Sequence, residues 1–182
     1  MELFECIHKR RSIREFLDKP VSEDDLYAIM EAGTAAPSAG NMQAREFILV
    51  RTRDSIEKAV AATDAGGTSR GGENTQKWIS KAAVIVIICY EEKRMAARYG
   101  DKGRSLMTKL DCMGVAENMM LAITALGLGT TCVIGFHTDK LKKNLQIPPE
   151  LTPLLMLPIG WPAEEKTDVF RISVNDLIRM EC

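Results

Sequence analysis

Three guanidinium groups and a hydroxyl fall within the short run Arg10-Arg11-Ser12-Ile13-Arg14. A guanidinium offers planar, paired donors that match phosphate or carboxylate oxygens, and a nearby hydroxyl adds one more donor at low steric cost. The chemistry this suggests is capture of an anion. The same residues would also serve as a solvated basic face at the end of a helix, where the macrodipole favours cations. A second stretch, Ala36-Pro37-Ser38-Ala39-Gly40-Asn41-Met42-Gln43, is too polar to be core and supplies small and amide-bearing side chains. Neither stretch contains a general base. Only His8 and His137 accompany the cysteines, with no zinc-ligand spacing, so no metal is expected. No nucleophile turn of a Ser-His-Asp or Cys-His type can be read either. An anion clamp and an amide-rich loop without a reactive side chain suit a cofactor that brings its own chemistry, because the protein then supplies binding, orientation and electrostatics.

Elements must position these residues. Residues 2 to 10 set Leu3, Phe4 and Ile7 at helical spacing, which predicts a first helix that delivers the arginines at its C-terminal end. Ser22-Glu23-Asp24-Asp25 reads as a capping box for a second helix, with Leu26, Ile29 and Met30 on its apolar stripe and an end between Gly33 and Pro37. The loop at 37 to 43 leads into a strand over Glu46 to Arg51, and residues 54 to 62 read as a third helix. Residues 63 to 75 are glycine-rich and poor in apolar anchors, a surface loop of the lid type without G-x-G-x-x-G spacing. Residues 91 to 104 are grouped with it as lid. The unbroken β-branched run Ala83 to Cys89 predicts a central strand covered on both faces.

Arg104 to Leu126 is the longest helical pattern. Leu106, Leu110, Met113, Val115, Met119, Ile123 and Leu126 are expected to be buried on more than one side, and Gly114 to admit a second backbone. Such a helix lies in the middle of a domain or at a subunit interface. A strand over Thr130 to Ile134, a short helix from Asp139 to Leu145 stopped by Pro148-Pro149, and a last strand over Leu154 to Ile159 follow. Gly160-Trp161-Pro162 closes the compact part. The tail from 163 to 182 frays or docks elsewhere, for example on a partner subunit. Helices and strands mix without regular βαβ alternation, so the expected class is α+β, in a single domain over 1–182.

A chain of 182 residues can bury roughly 70% of the surface its unfolded form exposes. Lys and Arg number 24 against 25 Asp and Glu, a net charge of −1 that provides no field for gathering nucleic acid or an anionic membrane. The first five residues show no basic stretch leading into an apolar run, and the longest apolar run, Ala82 to Tyr90, is about half a bilayer span. A soluble, cytoplasmic protein is expected. Cys6, Cys89, Cys112, Cys132 and Cys182 form an odd, scattered set, which argues for reduced, mostly buried thiols.

The arginine cluster and the polar loop together resemble the nitroreductase family of flavoproteins, whose members open with Arg-Arg-Ser-x-Arg and continue with Ala-Pro-Ser-x-x-Asn-x-Gln. The resemblance extends along the chain. Asp111, Ala116, Asn118, Leu121, Ala122 and Leu126 to Gly129 match the family's long central helix and its end. Ile134-Gly135-Phe136 stands at its glycine turn, and Ile159-Gly160-Trp161-Pro162 at its Gly-aromatic-Pro turn. Flavin mononucleotide, with a phosphate for the arginines and a polar pyrimidine edge for the amides, is the cofactor implied.

Carried over by resemblance, Arg10, Ser12 and Arg171 hold the phosphate, with Arg11 in the same cluster. Arg14 lies near the N1–C2 carbonyl edge of the flavin, and the Gly135 N–H, beside Ile134, approaches N5. Asn74 bonds the pyrimidine edge. Pro37, Ser38, Ala39 and Asn41, with Gln43, pack on the flavin of the other subunit. The implied fold is a mostly antiparallel sheet flanked by helices in an intertwined homodimer with two interfacial sites. This chain departs from the family's pattern in having Ala44-Arg45 where many relatives have Pro-Trp, and Val169 where a lysine often precedes the tail arginine by two. The implied reaction is ping-pong hydride transfer from NADH or NADPH through flavin N5 to a flat acceptor such as a nitroaromatic or quinone. The alternatives are a specialised member that acts on flavin or on a halogenated or unsaturated metabolite, and a non-catalytic FMN-binding electron carrier.

Overall fold

The β-branched run forms β2 (Val84–Glu91), seven of whose eight residues are buried. The computed structural model describes residues 2–64, 76–167 and 169–180. In it β2 pairs with β1 (Arg45–Val50) on one side and β4 (Leu151–Gly160) on the other, and β4 also pairs with the two-residue β3 (Gly129–Thr130). The order is β1-β2-β4-β3, with every pairing antiparallel.

Helices cover both faces, which is why β2 shows no apolar–polar alternation. Val84, Val86 and Ile88 pack into one cluster with Leu26 and Ile29 of α2 (Glu23–Thr34) and Val115, Met119 and Ile123 of α5 (Thr108–Ala125). Ile85, Ile87 and Cys89 point the other way, into a cluster with Ile56 and Val60 of α3 (Arg53–Val60) and Leu141 of α6 (Thr138–Leu145). Each buried Val, Leu or Ile contributes about 1.5–3 kcal/mol, so these two layers hold the sheet in place. The α2 start follows the capping box, since Ser22 Oγ accepts the Asp25 N–H at 3.0 Å.

α1 (Leu3–Lys9) is short and buries only Cys6, whose thiol donates to the Leu121 carbonyl at 3.0 Å. Beyond it, residues 12–17 form an extended arm laid against the sheet edge. Ser12 bridges Thr130 in parallel, the Ile13 N–H donates to the Thr130 carbonyl at 2.9 Å, and the Leu17 N–H donates to the Trp161 carbonyl at 2.8 Å. Ile13 and Phe16 are buried with Ala82 under the half-buried Trp78. Gly129 and Gly160 make this approach possible, since a Cβ on either would sit within 2.9 Å of the Ile13 or Phe16 side chain.

The structure differs from the sequence expectations at five places. Residues 92–102, which the sequence reading groups with the lid without assigning them an element, form a helix, α4 (Glu92–Lys102). The long helix does not begin at Arg104; a π-helical turn, Gly103–Met107, joins α4 to α5. Leu106, Leu110, Met113 and Leu126 are exposed rather than buried, and a Cβ on Gly114 would meet only the Ala36 methyl at 3.9 Å. The expected strand over 130–134 shrinks to Gly129–Thr130 plus an isolated Val133–Met156 bridge. Pro158 explains this break, because it lies between Met156 and Gly160 on the β4 edge that faces β3 and has no N–H to donate. At α6 the stop comes earlier than Pro148-Pro149, at Gln146, whose φ of 54° is left-handed.

Candidate functional site

Ile13 and Phe16 anchor the arm inward, and a cavity of about 470 Å³ lies beside it. Arg10 and Arg11 at the end of α1 line it with Ser12 and Arg14 of the arm, and Lys166 and Arg171 line it from the tail. Two chain segments more than 150 residues apart thus converge, fastened by the Ala163 N–H to the Glu15 carbonyl at 2.9 Å and by Glu164. The Glu164 carboxylate accepts the Arg14 N–H at 2.6 Å and the Glu15 N–H at 3.2 Å, and pairs with the Lys166 ammonium. Burial would raise the Glu164 pKa, but these hydrogen bonds and the Lys166 charge outweigh it and hold the carboxyl below its ordinary value.

The arginines differ in their duties. Arg11 spends its donors on the carbonyls of His8 (2.5 Å), Arg10 (3.0 Å) and Thr167 (3.3 Å), so it straps the tail to the end of α1. Arg14 is exposed, with its guanidinium carbon 6.0 Å from the centre of the Trp78 ring. Arg171 is exposed and donates to the neighbouring Phe170 carbonyl at 3.0 Å. Lys166 is a cavity residue that motif reasoning missed. Val169 also reaches this cavity, and Lys166 brings a cation there from three residues earlier in the tail.

The polar loop lies elsewhere. Pro37, Ser38 and Ala39 line a separate cavity of about 400 Å³ with Met107, Leu110 and Asp111. The loop is tightly held. Asp111 accepts the Ala39 N–H on both oxygens (3.2 and 3.1 Å), and Ser38 Oγ accepts the Gln43 N–H at 3.0 Å. From α4, Arg94 donates to the Gln43 carbonyl at 2.7 Å and Arg98 to the Gly40 carbonyl at 3.1 Å. Asn41 and Gln43 are exposed, with φ of 56° and 49°. Arg45 is only 8% exposed, and its Nη2 donates to the Thr34 and Ala36 carbonyls at 2.7 and 2.9 Å, closing the C-terminal end of α2. Its buried Nη1 has no partner among the described residues. Burial pushes the Asp111 carboxyl up, against the opposing pull of the Ala39 N–H and the Arg45 charge.

The Ile134–Gly135 turn stands apart from both cavities. The Gly135 carbonyl accepts from the Asp64 N–H and from Gln76 Nε2, each at 3.1 Å, and Ile134 is 70% exposed. Asn74 lies outside the described residues. The thiols of Cys89 and Cys112 are pushed up to about 12 by burial, so neither is a nucleophile at neutral pH. Among the described residues no group of three or more His, Cys, Asp or Glu could hold a metal ion, and no helix is long and apolar enough to cross a membrane.

Known proteins share both the sequence and the fold. A model of the nitroreductase family matches residues 7–161. The chain is 29% identical over 169 residues to an Archaeoglobus fulgidus protein assigned as an NADH dehydrogenase/NAD(P)H nitroreductase, covering 91% of this chain and 88% of that one. It is 28% identical over 176 residues to an NAD(P)H FMN reductase of Bacillus subtilis, covering 90% of this chain and 67% of that one. A Desulfovibrio desulfuricans protein assigned as a nitroreductase and solved in complex with FMN superposes with a TM-score of 0.80 at 25% identity, over 100% of this chain and 98% of that one. With a family match running from α1 to the end of the sheet and a superposition over the whole length, the chain belongs to the nitroreductase family.

Proposed function

We propose that the chain is an FMN-dependent oxidoreductase that takes hydride from NADH or NADPH and delivers it to a flat acceptor such as a nitroaromatic or quinone. The observation that carries this reading is the convergence of Arg10, Arg11, Ser12, Arg14, Lys166 and Arg171 on one cavity. The donor set fits FMN. A phosphate monoester carries about −1.5 to −2 charge at pH 7 with strong acceptor oxygens, and the cavity is lined by several cations and a hydroxyl, while Glu164 beside it is already engaged by Lys166 and the Arg14 N–H. FMN also accompanies the Desulfovibrio relative.

In this reading Arg10, Ser12, Lys166 and Arg171 hold the phosphate, and Arg11 keeps the tail in place beside them. Arg14 places positive charge at the pyrimidine edge, and the Ile134–Gly135 backbone lies toward the central ring. When bound, FMN supplies hydride uptake and release at N5. The protein orients the partners and stabilises negative charge there, and needs no acid or base of its own for the first half-reaction.

The same reading requires a homodimer. Pro37, Ser38 and Ala39 line a different cavity from the arginines in one chain, so a site using both takes the loop, with Asn41 and Gln43, from a second copy. Exposed apolar surface supports this, since Leu3, Phe4 and Ile7 of α1, Leu106, Leu110, and the tail from Phe170 to Met180 lie uncovered. The tail beyond the single domain's compact part docks on that partner.

The test is the visible spectrum of the purified protein after loading with FMN and gel filtration. Retained flavin bands stoichiometric with the protomer, bleached by NADH or NADPH and restored by menadione, are expected. A protein that cannot hold FMN would end this reading.

A further inference from the structure

Three arginines lie on α4 and the turn that follows it. Arg94 is neutralised by Glu46 at 2.7 Å and Glu91 at 3.8 Å, and Arg104 lies 4.0 Å from Glu92. Arg98 differs. No carboxylate among the described residues lies within salt-bridge distance of it, and one of its five donors is used, on the Gly40 carbonyl at 3.1 Å. Its guanidinium is exposed and sits 5.4 Å from the centre of the Tyr99 ring. Both side chains crowd the polar loop where glycine alone admits them. A Cβ on Gly40, whose φ is +54°, would come 2.5 Å from Tyr99 Oη and 2.6 Å from Arg98 Nη1.

We infer that Arg98, with the Tyr99 ring beside it, selects flat molecules that carry an oxyanion, by pairing with that group as the molecule settles against the loop around Gly40. This deepens the proposed function and rests on it, because only that reading sets residues 37–43 beside the reacting molecules. The chemistry follows from the pair. A guanidinium without a carboxylate partner matches the two oxygens of a carboxylate or phosphate, and an aromatic ring offers a stacking face for the planar part. The oxyanion has two sources, a carboxylate on the acceptor or the 2′-phosphate that distinguishes NADPH from NADH. Arg94 does not share this role, since its charge is matched and it already holds the Gln43 carbonyl.

The experiment uses FMN-loaded protein, with flavin content measured first. Steady-state kinetics compare 4-nitrobenzoate with its methyl ester as acceptor, and NADPH with NADH as donor, in the wild type, Arg98→Gln and Arg98→Lys. In one of the two pairs the wild type should favour the member with the additional oxyanion, 4-nitrobenzoate over its ester or NADPH over NADH. Arg98→Gln should lower that preference in kcat/KM roughly five- to tenfold, chiefly through KM, and Arg98→Lys should restore much of it. A change in the acceptor pair assigns the oxyanion to the acceptor, and a change in the donor pair assigns it to the 2′-phosphate. A wild type without preference in either pair, or an Arg98→Gln effect equal on all four substrates, would show that Arg98 only braces Gly40 and would overturn the inference. Failure to hold FMN is a separate result that removes the underlying reading as well.

Discussion

The cation cavity and the loop at 37–43 are built in opposite ways. Around the cavity, Arg14 and Arg171 are exposed with no carboxylate among the described residues within salt-bridge distance, while Glu164 fastens the Arg14 backbone and pairs with the exposed Lys166 ammonium. The loop is satisfied before anything binds. Its backbone is left-handed at Gly40, Asn41 and Gln43, a conformation that costs a non-glycine residue of order 1 kcal/mol. Asp111 of α5 and Arg94 and Arg98 of α4 hold it there, with Ser38 bonded within the loop and Arg45 bonded to the Ala36 carbonyl just before it. The cavity is thus shaped to be completed by an anion, whereas the loop is a finished platform. Damage to the first should register in affinity, and damage to the second in stability.

The double substitution Arg10→Ala with Arg171→Ala breaks that comparison most sharply if it fails. Each charge-assisted contact to a phosphate is worth about 1.5–3 kcal/mol, so the pair should raise the FMN dissociation constant by roughly 100-fold or more. The melting temperature of the FMN-free protein should move by no more than about 2 °C, as expected for exposed or half-buried charges. Fluorescence titration and thermal melting of the same samples check both halves. A collapse in melting temperature would make the cavity a structural feature instead.

Arg45→Met probes the platform. Met fills part of the volume but leaves the Thr34 and Ala36 carbonyls at the end of α2 without their donor. The expected loss is about 2 kcal/mol, or a fall of roughly 4–8 °C in melting temperature for a chain of this size. It stays at the low end because the substitution also removes the buried, unpartnered Nη1. Retained FMN affinity in the folded fraction would sharpen the comparison. A rise in melting temperature would mean that desolvation of the guanidinium outweighs its two bonds.

Much of this arrangement was legible in the sequence, and the unread parts have physical causes. Arg10, Ser12 and Arg14 line one cavity because they stand in one short run, and the β2 run is central because an unbroken apolar stretch reports it, whereas Arg171 was set beside the cluster by the family resemblance alone. α4 was hidden by its Glu-Glu-Lys-Arg start and by Gly100 within it. It buries one residue, Met95, so it carries almost no apolar stripe. Lys166 gave no signal, since its place depends on how residues 163–171 turn back past the arm, a tertiary fact without a local pattern. The shortening of β3 was written in the partner strand, at Pro158, rather than in residues 130–134. Leu106 and Leu110 read as core because periodicity reports apolar faces without saying whether this chain or another covers them.

The smallest effect compares one carboxylate from each region, because the two are displaced in opposite directions. Glu164 is held below its ordinary value, so its proton binds less tightly in the folded state than in the unfolded one. Its contribution is fully present above the unfolded glutamate range and is lost as pH falls through the lowered folded value. Asp111 is pushed up, so the folded state binds its proton more tightly and stability is lost as pH rises from the unfolded aspartate range through the raised folded value. Glu164→Gln should therefore lower the melting temperature at neutral pH, with the gap to wild type closing on acidification below the glutamate range. Asp111→Asn keeps an oxygen for the Ala39 N–H while removing the penalised charge. It should melt at or slightly above wild type at neutral pH, with any gain vanishing once acid protonates Asp111 in both states. Melting curves of the three proteins from pH 3 to pH 8 check the pair. If Asp111→Asn melts lower at neutral pH, attraction to Arg45 exceeds the burial cost, and the platform, like the cavity, draws stability from an ionised carboxylate.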